Sequence, residues 1–366
     1  MKRRILQIVD TLQRGGPQQQ MALVAAGLPA AEFEVHVCAL AAGGPLADEL
    51  RMHNVPTAII SHQGRIDPLV IGRLRGHIQA LKPDIVQTWT NKANAYGRWA
   101  AVLSRVGNLA ATKLREDLAQ TACHAVSDRL LARFTKAFVA NCHGVERSWL
   151  DQGVRQNKIR IIASGIAPLA PRVGDRSQLL CELGLPAGAR LLGAVGSLWP
   201  KKRIKDLIWA TDLMKVIRDD VHLLVIGDGP QRPALERFRR QCRIEDRVHM
   251  LGYRSDVPRL LAHLDVYCSA TSMAGLPTSL MEAMSVGLPV VASDVQGTDE
   301  LVMPDETGLL VAAGDRAGLA RTANKLLDNP ELARRLGNAG KERIATKFTV
   351  QSMVDQHAAL YREMMD

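Results

Sequence analysis

Residues 271–284, TSMAGLPTSLMEAM, have the composition of a ligand-binding loop that leads into a helix. A Gly-Leu-Pro turn precedes Thr278, and the N–H groups in the first turn of a helix lack partners within the helix, so they are available to acceptor atoms of a ligand. Glu282 follows about one turn later among apolar neighbours, so we expect a partly buried carboxylate that needs a hydroxyl or amide partner. Because Ala274 precedes the turn, the loop begins without a carboxylate.

A second cluster of chemically useful side chains lies at residues 195–210, VGSLWPKKRIKDLIWA. An apolar run ends at Ser197, and Lys201, Lys202 and Arg203 follow before a helical pattern. Cations just beyond the carboxyl end of a strand suit a diphosphate. For any single one of the three, a solvated position on a basic loop is the alternative interpretation.

A third candidate is the glycine pair near the start of the chain, in VDTLQRGGPQQQMALV. Gly15 and Gly16 allow a close backbone approach, and Pro17 is favoured at a first helical position because its missing N–H is not needed there. Such a helix start suits an anion. An ordinary tight turn between strand and helix remains the alternative.

Short apolar runs alternate with helical periodicity along the whole chain. The predicted strands are RILQIV, EVHVCAL, TAII, DIVQTW, AFVAN and RIIAS, then LLGAVGSL, HLLVIG, VHML, DVYCSA, LPVVAS and GLLVAA. The predicted helices cover 17–28, 67–81, 92–105, 142–152, 203–217, 230–242, 277–286, 315–327, 330–345 and a final stretch from Val350. The alternation predicts βαβ units and parallel sheets covered on both faces.

The segment GIAPLAPRVGD, residues 165–175, is rich in Pro and Gly and has no periodicity, which is typical of an interdomain linker. We therefore predict an N-terminal domain over 1–170, a C-terminal domain over 171–349 and a terminal helix over 350–366. Both domains are expected to be doubly wound α/β units, with ligands in a cleft beyond the carboxyl ends of their strands.

Composition narrows the class of protein. The chain has 366 residues, of which 47% are hydrophobic and 23% charged, as is typical of a soluble globular protein. No apolar run approaches the roughly 18 residues that span a bilayer, and the apolar part of MKRRILQIVD is too short for a secretory signal. The six cysteines are scattered without a C-x-x-C pair, so we expect reduced packing residues in a cytoplasmic protein.

Positive charge is concentrated in the first half of the chain. Residues 1–180 hold 23 Lys and Arg against 13 Asp and Glu, while residues 181–366 hold 24 of each, so the net +10 belongs to the first half. The excess indicates either a random surface distribution or an anionic partner, such as a membrane surface or a phosphate-bearing acceptor. With 4% aromatic residues and no recognised motif, nucleic acid is not expected as a partner.

Taken in order, several motifs resemble those of the retaining glycosyltransferases of family 4. The C-terminal ones are VG-x-L-x-P-x-K, VIGDGP, LGYRSDV, the Gly-Leu-Pro loop with LMEAM, GLPVVASDVQGTDEL and TGLLV-x-x-GD. The N-terminal ones are the Gly-Gly loop, PDIVQTW-x-x-KAN-x-x-GR-x-A and VAN-x-x-GV. The resemblance covers nearly the whole chain. It implies the α/β GT-B fold, with two facing Rossmann-like domains, an interdomain cleft and a last helix that crosses back to the first domain.

The resemblance implies retaining, metal-independent transfer of a sugar from a nucleotide-sugar to an acceptor. Lys202 matches the lysine that contacts the leaving diphosphate, and Glu282 matches the second acid of an E-x7-E signature, which holds the ribose hydroxyls. These two are the expected catalytic residues, because Lys202 and oriented amides would offset the developing negative charge. The other implied donor-side positions are Gly15, Gly16, Ser197, Tyr253, Arg254, Ala274, Gly275, Leu276, Pro277 and Thr278. We expect a UDP- or GDP-sugar and no cofactor.

Four motifs depart from the family's pattern. Ala274 stands where the first acid of E-x7-E is expected, and Ser197 where an arginine is expected. The histidines of a PDIV-H-x-H stretch are here Gln87 and Trp89, and residues 164–167 differ from N-G-(I/V)-D. Two donor contacts are thus missing, which implies a different donor sugar, a weakened enzyme or an engineered exchange of Glu for Ala.

The acceptor would be a glycan or a lipid-linked glycan of the cell surface, bound by the first domain. The positions that match the family's acceptor cleft are Gln87, Trp89, Asn91 and Arg115. Trp89 would stack on a sugar or face a lipid, and a core tryptophan is an equal alternative. Arg115 would bind a phosphate or form a local salt bridge. The expected location is the cytoplasm, peripheral on the inner face of the membrane.

Two other functions remain open at this point. Ala274 and Ser197 motivate a non-catalytic nucleotide-sugar-binding protein on the same fold. An isomerase of the sugar-nucleotide 2-epimerase type would need acid and base groups at the sugar, and the chain has few acidic or histidine candidates at its strand ends.

Overall fold

The structure is a computed structural model that describes residues 2–41, 43–61, 67–115, 128–167, 169 and 174–366. The chain divides into two compact units. The first contains Met1–Gly165 and Phe348–Asp366, and the second contains Ile166–Lys347. These boundaries lie within five residues of the predicted ones.

The first unit is a parallel sheet of seven strands in the order β3-β2-β1-β4-β5-β6-β7. Its strands are β1 (Arg3–Val9), β2 (Phe33–Ala39), β3 (Thr57–Ile59), β4 (Ile85–Thr88), β5 (Asn108–Lys113), β6 (Ala137–Ala140) and β7 (Ile159–Ile161). Its helices are α1 (Gly16–Gly27), α2 (Pro45–Met52), α3 (Leu69–Leu81), α4 (Asn91–Leu103) and α5 (His143–Asp151). The strand order reverses between β1 and β4, and in such sheets ligands bind beyond the carboxyl ends of the strands at that point.

The second unit is a parallel sheet of six strands in the order β10-β9-β8-β11-β12-β13. The strands are β8 (Arg190–Val195), β9 (Val221–Ile226), β10 (Val248–Gly252), β11 (Val266–Ser269), β12 (Val290–Asp294) and β13 (Leu309–Ala312). Its helices are α6 (Arg176–Glu182), α7 (Ile204–Met214), α8 (Arg232–Gln241), α9 (Val257–Leu261), α10 (Thr278–Ser285), α11 (Thr298–Leu301), α12 (Arg316–Asp328) and α13 (Pro330–Lys347). Here the order reverses between β8 and β11.

The central strands of both sheets are mostly apolar, because helices cover both faces of each sheet and bury most of the side chains of these strands. In the first unit, Leu6 and Val86 face α3 and α4, while Ile5 and Val35 face the opposite core. In the second unit, Val225 packs in a core that α7, α8 and α12 complete.

The last helix, α14 (Val350–Met365), belongs to the first unit and packs on α1. The backbone of Gly165 lies close to the start of α14, and a Cβ atom at this position would lie 2.8 Å from the Cα of Val350. Gln20 donates to the Gly165 carbonyl over 2.9 Å and accepts from its N–H over 2.9 Å. The chain therefore leaves the first unit after Gly165 and returns to it at Phe348.

The predicted strands and the long predicted helices are confirmed, with boundaries that shift by one to three residues. Sequence reasoning missed β5, whose NLAATK sequence has weak strand propensity, and the short helices α2, α6 and α11. Among the described residues, none of the helices combines the length and the apolar character needed to cross a bilayer.

Candidate functional site

The candidate donor site lies at the carboxyl edge of the second sheet, around the reversal between β8 and β11. The loops that follow β8, β9, β10, β11 and β12 carry the glycines, the cations and the Gly-Leu-Pro turn identified in the sequence. All of these features belong to one unit and share one sheet edge.

Two glycine loops interlock at this edge and form its floor. Gly227 has φ 132°, and a Cβ atom there would lie 2.1 Å from the carbonyl oxygen of Gly196, so no side chain fits. Leu198 donates its N–H to the carbonyl of Asp228 over 2.9 Å, and a Cβ atom on Gly229 would lie 2.6 Å from the Leu198 nitrogen. The loops after β8 and β9 therefore hold each other in place.

The cation-bearing turn, residues 200–203, starts as a 3-10 helix over Pro200–Lys202. The Lys201 carbonyl accepts from the Ser272 N–H over 2.9 Å and from the Thr271 hydroxyl over 3.4 Å. This ties the turn that carries Lys202 to the loop after β11. Ser197, at the position of the missing arginine, is exposed and adds no charge.

The Gly-Leu-Pro turn delivers the chain into α10. Gly275 has φ 132°, a conformation that suits glycine, and its N–H donates to the Gln296 carbonyl over 3.1 Å. Pro277 is the N-cap residue, and no side chain of the described part caps this end of α10. The N–H groups of the first turn from Thr278 are thus oriented for acceptor atoms of a ligand. Ala274 is buried, with 7% of its surface exposed.

Glu282 lies half-buried on α10, and burial raises the pKa of its carboxyl to about 7. Among the hydrogen bonds of the described residues, none reaches this carboxylate. The expected burial is present, but the expected hydroxyl or amide partner does not come from the described part of the chain. A carboxylate in this state gains strongly from hydroxyl donors.

The loop after β10 places one aromatic ring in solvent and one arginine in an ion-pair network. Tyr253 is 71% exposed. The Arg254 guanidinium donates to Asp256 over 2.7 Å and to Glu182 over 2.7 Å, and Arg259 contacts the same two carboxylates. These partners raise the pKa of Arg254. The Arg254 side chain is therefore engaged within the protein, which leaves its main chain for ligand contact.

In the first unit, Gly15 and Gly16 stand at the start of α1, as the sequence predicts. Gly15 is the N-cap with an extended φ of −163°, so its backbone conformation does not demand glycine. A Cβ atom there would lie 2.5 Å from the amide oxygen of Gln18, whose side chain donates to Asp10 over 2.8 Å. The end of the Gln18 side chain is flexible and can move aside, so neither φ nor space demands glycine at this position.

The structure corrects the acceptor-side assignment of Gln87 and Trp89. Both are buried in the core of the first unit, with exposed fractions of 0% and 1%. The Trp89 indole N–H donates to Gln7, and the ring stacks on His357 of α14 at 5.4 Å between centroids. Gln87 donates to Thr112 over 2.6 Å. Neither side chain reaches the surface, because α14 covers this face of the sheet.

The two other acceptor-side candidates do lie at the surface. Asn91 is exposed at the first position of α4, directly after Thr90, and Arg115 is exposed two residues after the end of β5. Their strands are neighbours in the sheet, so both residues lie at its carboxyl edge. They remain candidates for acceptor contact.

Several residues of the donor edge escaped the sequence analysis. Thr271 and Ser272 anchor the cation-bearing turn, and Tyr267 donates from its hydroxyl to Ser279 over 2.9 Å at the start of α10. Trp199 is 55% exposed beside the turn. Hydroxyl residues directly after a predicted strand were a usable signal for Thr271 and Ser272, whereas the contact of Tyr267 has no local signature.

Comparison with known protein families shows which class of protein this chain belongs to. Residues 175–343 match the family described as glycosyl transferases group 1, and residues 14–168 match glycosyltransferase family 4. Together the two matches cover most of the chain and divide where its two units divide. With two Rossmann-like domains and a loop-lined sheet edge, the protein is a GT-B glycosyltransferase. The chain belongs to the group 1, family 4-like glycosyltransferases.

The curated proteins that this chain resembles include a galactosyltransferase and a synthase. The UDP-Gal:α-D-GlcNAc-diphosphoundecaprenol α-1,3-galactosyltransferase of Escherichia coli is 26% identical over 360 residues, covering 92% of this chain and 91% of that protein. The N-acetyl-α-D-glucosaminyl L-malate synthase of Bacillus anthracis is 30% identical over 192 residues, or 52% of this chain. The match spans 50% of that relative's length.

Solved structures share the whole fold. The crystal structure of Anabaena HepE in complex with UDP-glucose superposes with a TM-score of 0.87 at 23% identity, covering 98% of this chain and 99% of that one. The similarity extends over both domains and shows the GT-B fold.

Proposed function

We propose that the protein is a retaining, metal-independent glycosyltransferase that moves a sugar from a UDP-sugar to a glycan or lipid-linked acceptor of a cell-surface polysaccharide. The observation that carries the proposal is the donor edge of the second unit. There the Lys202 turn is hydrogen-bonded, through Lys201 and Ser272, to the loop that leads into the Gly-Leu-Pro turn and Glu282.

Each part of this edge fits one part of a nucleotide-sugar. The Glu282 carboxylate, which lacks a hydrogen-bond donor among the described residues, suits the ribose hydroxyls. The Lys202 ammonium and the N–H groups at the start of α10 suit the diphosphate, where negative charge grows as the glycosyl–phosphate bond breaks. Tyr253 and the main chain around Arg254 would border the base.

Relatives support UDP as the nucleotide. HepE of Anabaena has been solved with UDP and with UDP-glucose, and the E. coli relative is named as a UDP-Gal transferase. The same E. coli name, with its diphosphoundecaprenol acceptor, supports a lipid-linked acceptor for this chain.

The test is nucleotide binding by calorimetry together with nucleotide release from UDP-, GDP- and ADP-sugars, each with and without EDTA. We expect UDP to bind more tightly than GDP or ADP, and turnover of a UDP-sugar to persist in EDTA with an α-configured product by NMR. Glu282→Ala should weaken the binding of UDP, GDP and ADP alike, because all three carry the ribose, whereas Glu331→Ala, at an exposed position on α13, should leave binding unchanged. No UDP binding and no turnover with any donor would overturn the proposal.

Ala274 favours a second candidate, a nucleotide-sugar-binding protein without turnover. Because this residue is an alanine, the loop presents no acid at the place where the family signature has one. The alanine side chain is buried. Restoring the acid with Ala274→Glu separates the two functions. A binding protein would still bind UDP without turnover, whereas gain of donor hydrolysis would mark an enzyme that has lost one contact.

We also propose that the protein docks on the anionic inner face of a membrane. The first unit with its terminal helix holds 22 Lys and Arg against 15 Asp and Glu, and the second holds 25 against 22, so the excess is larger on the first unit. The protein should co-sediment with vesicles that contain phosphatidylglycerol at low salt and be released at high salt. Equal recovery with neutral vesicles would overturn this proposal.

A further inference from the structure

A buried carboxylate lies behind the cation-bearing turn. Asp206, in the first turn of α7, is 3% exposed. Its Oδ2 accepts from the Nε of Arg203 over 2.5 Å, and its Oδ1 accepts from the Nε of Arg316 over 2.8 Å. One carboxylate thus engages two guanidinium groups, and the arginines are 34% and 38% exposed.

Arg203 has an unusual backbone for such a side chain. Its φ of 51° and ψ of 36° lie in the left-handed region, which costs a non-glycine residue about 1 kcal/mol. Its N–H donates to the Pro200 carbonyl over 3.0 Å and closes the turn that contains Lys202. Its guanidinium lies over Gly314, where a Cβ atom would come within 3.0 Å. The strained conformation is therefore held by side-chain contacts.

The turn is anchored at both ends. Before Lys202, the Lys201 carbonyl is bonded to Ser272. After Lys202, Arg203 is bonded to Asp206. Because Lys202 lies between two fixed neighbours, the direction of its side chain depends on both anchors. The Asp206 carboxylate engages both Arg203 and Arg316, and its single negative charge offsets one of their two positive charges.

We propose that Asp206 is a positioning residue for donor binding: through Arg203, it fixes the turn that presents Lys202 to the diphosphate of the donor. The inference rests on the proposed function, since it assumes that Lys202 contacts the donor. It concerns a residue that would not itself touch the ligand.

The test measures UDP affinity by calorimetry on the full chain, so it needs neither an acceptor nor turnover. Asp206→Asn keeps the side-chain shape and removes the charge, and it should weaken UDP binding about 10-fold. Lys202→Ala should weaken it at least as much. When Lys202→Ala and Asp206→Asn are combined, the second change should cause no further loss of UDP affinity, because its effect passes through Lys202.

Arg203→Gly separates positioning from backbone strain. Glycine adopts the left-handed conformation freely, so the turn can keep its shape while the anchor to Asp206 is lost. The proposal expects the same loss of UDP affinity as in Asp206→Asn. Unchanged affinity in Arg203→Gly would overturn it, and this variant also serves if Asp206→Asn fails to fold.

Asp265 provides a matched control. It is also a poorly exposed carboxylate that binds two arginines, Arg176 over 2.6 Å and Arg190 over 3.4 Å, but it precedes β11 at the amino edge of the same sheet. Asp265→Asn should lower the melting temperature and leave UDP affinity unchanged. If both aspartate variants change UDP affinity equally, Asp206 is only structural and the inference fails.

The outcome for Lys202→Ala tells the two proposals apart. If this variant binds UDP as well as the parent does, the assigned role of Lys202 fails and the inference fails with it. If Lys202→Ala weakens binding and both Asp206→Asn and Arg203→Gly do not, only the inference fails and the donor site stands.

Discussion

At the end of β4 in the first unit, Gln87 and Trp89 are fully buried, whereas at the end of β8 in the second unit Ser197 and Trp199 reach solvent. Gln87 is the penultimate residue of β4 and Trp89 follows that strand, whereas Ser197 and Trp199 both follow β8. Both strands lie beside the reversal of strand order. The first pair is hydrogen-bonded to Gln7, Thr112 and α14. Two strand ends beside a reversal of strand order therefore differ, because one belongs to a structural network and the other borders an accessible surface.

The terminal helix accounts for much of this difference. In the first unit, α14 places Tyr361 over the sheet, where its hydroxyl accepts from Gln7 over 2.7 Å and donates to Gln87. In the second unit, interlocked glycine loops border the strand ends and leave the cations of the turn partly exposed. A polar side chain at a strand end thus indicates a ligand site only where no further element covers it.

The largest expected effect is the loss of donor turnover when Lys202 is replaced. This change tests the accessible strand end of the second unit. Lys202→Ala should lower turnover of the donor about 10²- to 10³-fold, because one donor to a developing negative charge contributes about 3–4 kcal/mol. The melting temperature should stay unchanged. Steady-state kinetics and thermal unfolding measure the two quantities.

The control for this change is Lys215→Ala, on the same unit, where Lys215 pairs with Asp212 over 2.9 Å beyond the end of α7. It should alter neither quantity. Equal losses of turnover in both variants would show a general charge effect and contradict a specific role for Lys202.

The next effect concerns the buried network. Tyr361→Phe leaves Gln7 and Gln87 without one partner each, so the free energy of unfolding should fall by about 1–3 kcal/mol. Urea denaturation measures this fall, and UDP affinity should not change. Tyr253→Phe removes the hydroxyl of an exposed ring and should leave stability unchanged. If Tyr361→Phe kept full stability but bound the donor weakly, the strand end of the first unit would be a ligand site and not a structural network.

The titration of Glu282 should change the free energy of unfolding by at most about 1.4 kcal/mol per pH unit. Burial raises the pKa of Glu282 to about 7 in the folded protein, against 4.5 in the unfolded chain. Between these values the folded state holds the extra proton, so stability falls as pH rises through this window. Glu282→Gln should lack that fall when unfolding is measured from pH 5 to 8.

The same carboxylate should make UDP binding depend on pH. Ribose hydroxyls favour the ionised form, so affinity should rise with pH through about 7 relative to Glu282→Gln. The variant shares every other titration, including that of UDP. Parallel pH profiles for the two proteins would exclude a contact between Glu282 and the nucleotide.

The smallest expected effect is that of replacing Arg115, whose side chain is exposed. Arg115→Ala should change stability by less than about 0.5 kcal/mol and raise the KM of a phosphate-bearing acceptor several-fold. Arg75→Ala, on the exposed face of α3, is the control and should change neither. A KM equal to that of the parent would remove Arg115 from the acceptor site.

The donor edge was more predictable from sequence than the acceptor edge. The glycines, the lysines and the Gly-Leu-Pro turn are local signals, because a positive φ or an uncapped helix start needs only neighbouring residues. Trp89 had no such signal. Its ring stacks on His357, and the neighbouring Gln87 accepts from Tyr361, both more than 260 positions later. No local pattern shows that a distant helix will cover a strand end.

Periodicity and residue type alone were enough for the two α/β domains, most of their strands and long helices, and the loops that carry the donor-site candidates. These features depend on short-range propensity and on a local pattern of apolar residues. Long-range packing decided the rest. It brought α14 onto the first unit, joined Lys201 to Ser272 across 71 positions and buried Asp206 between two arginines. Such contacts depend on how the elements pack in three dimensions, which neighbouring residues in the chain do not specify.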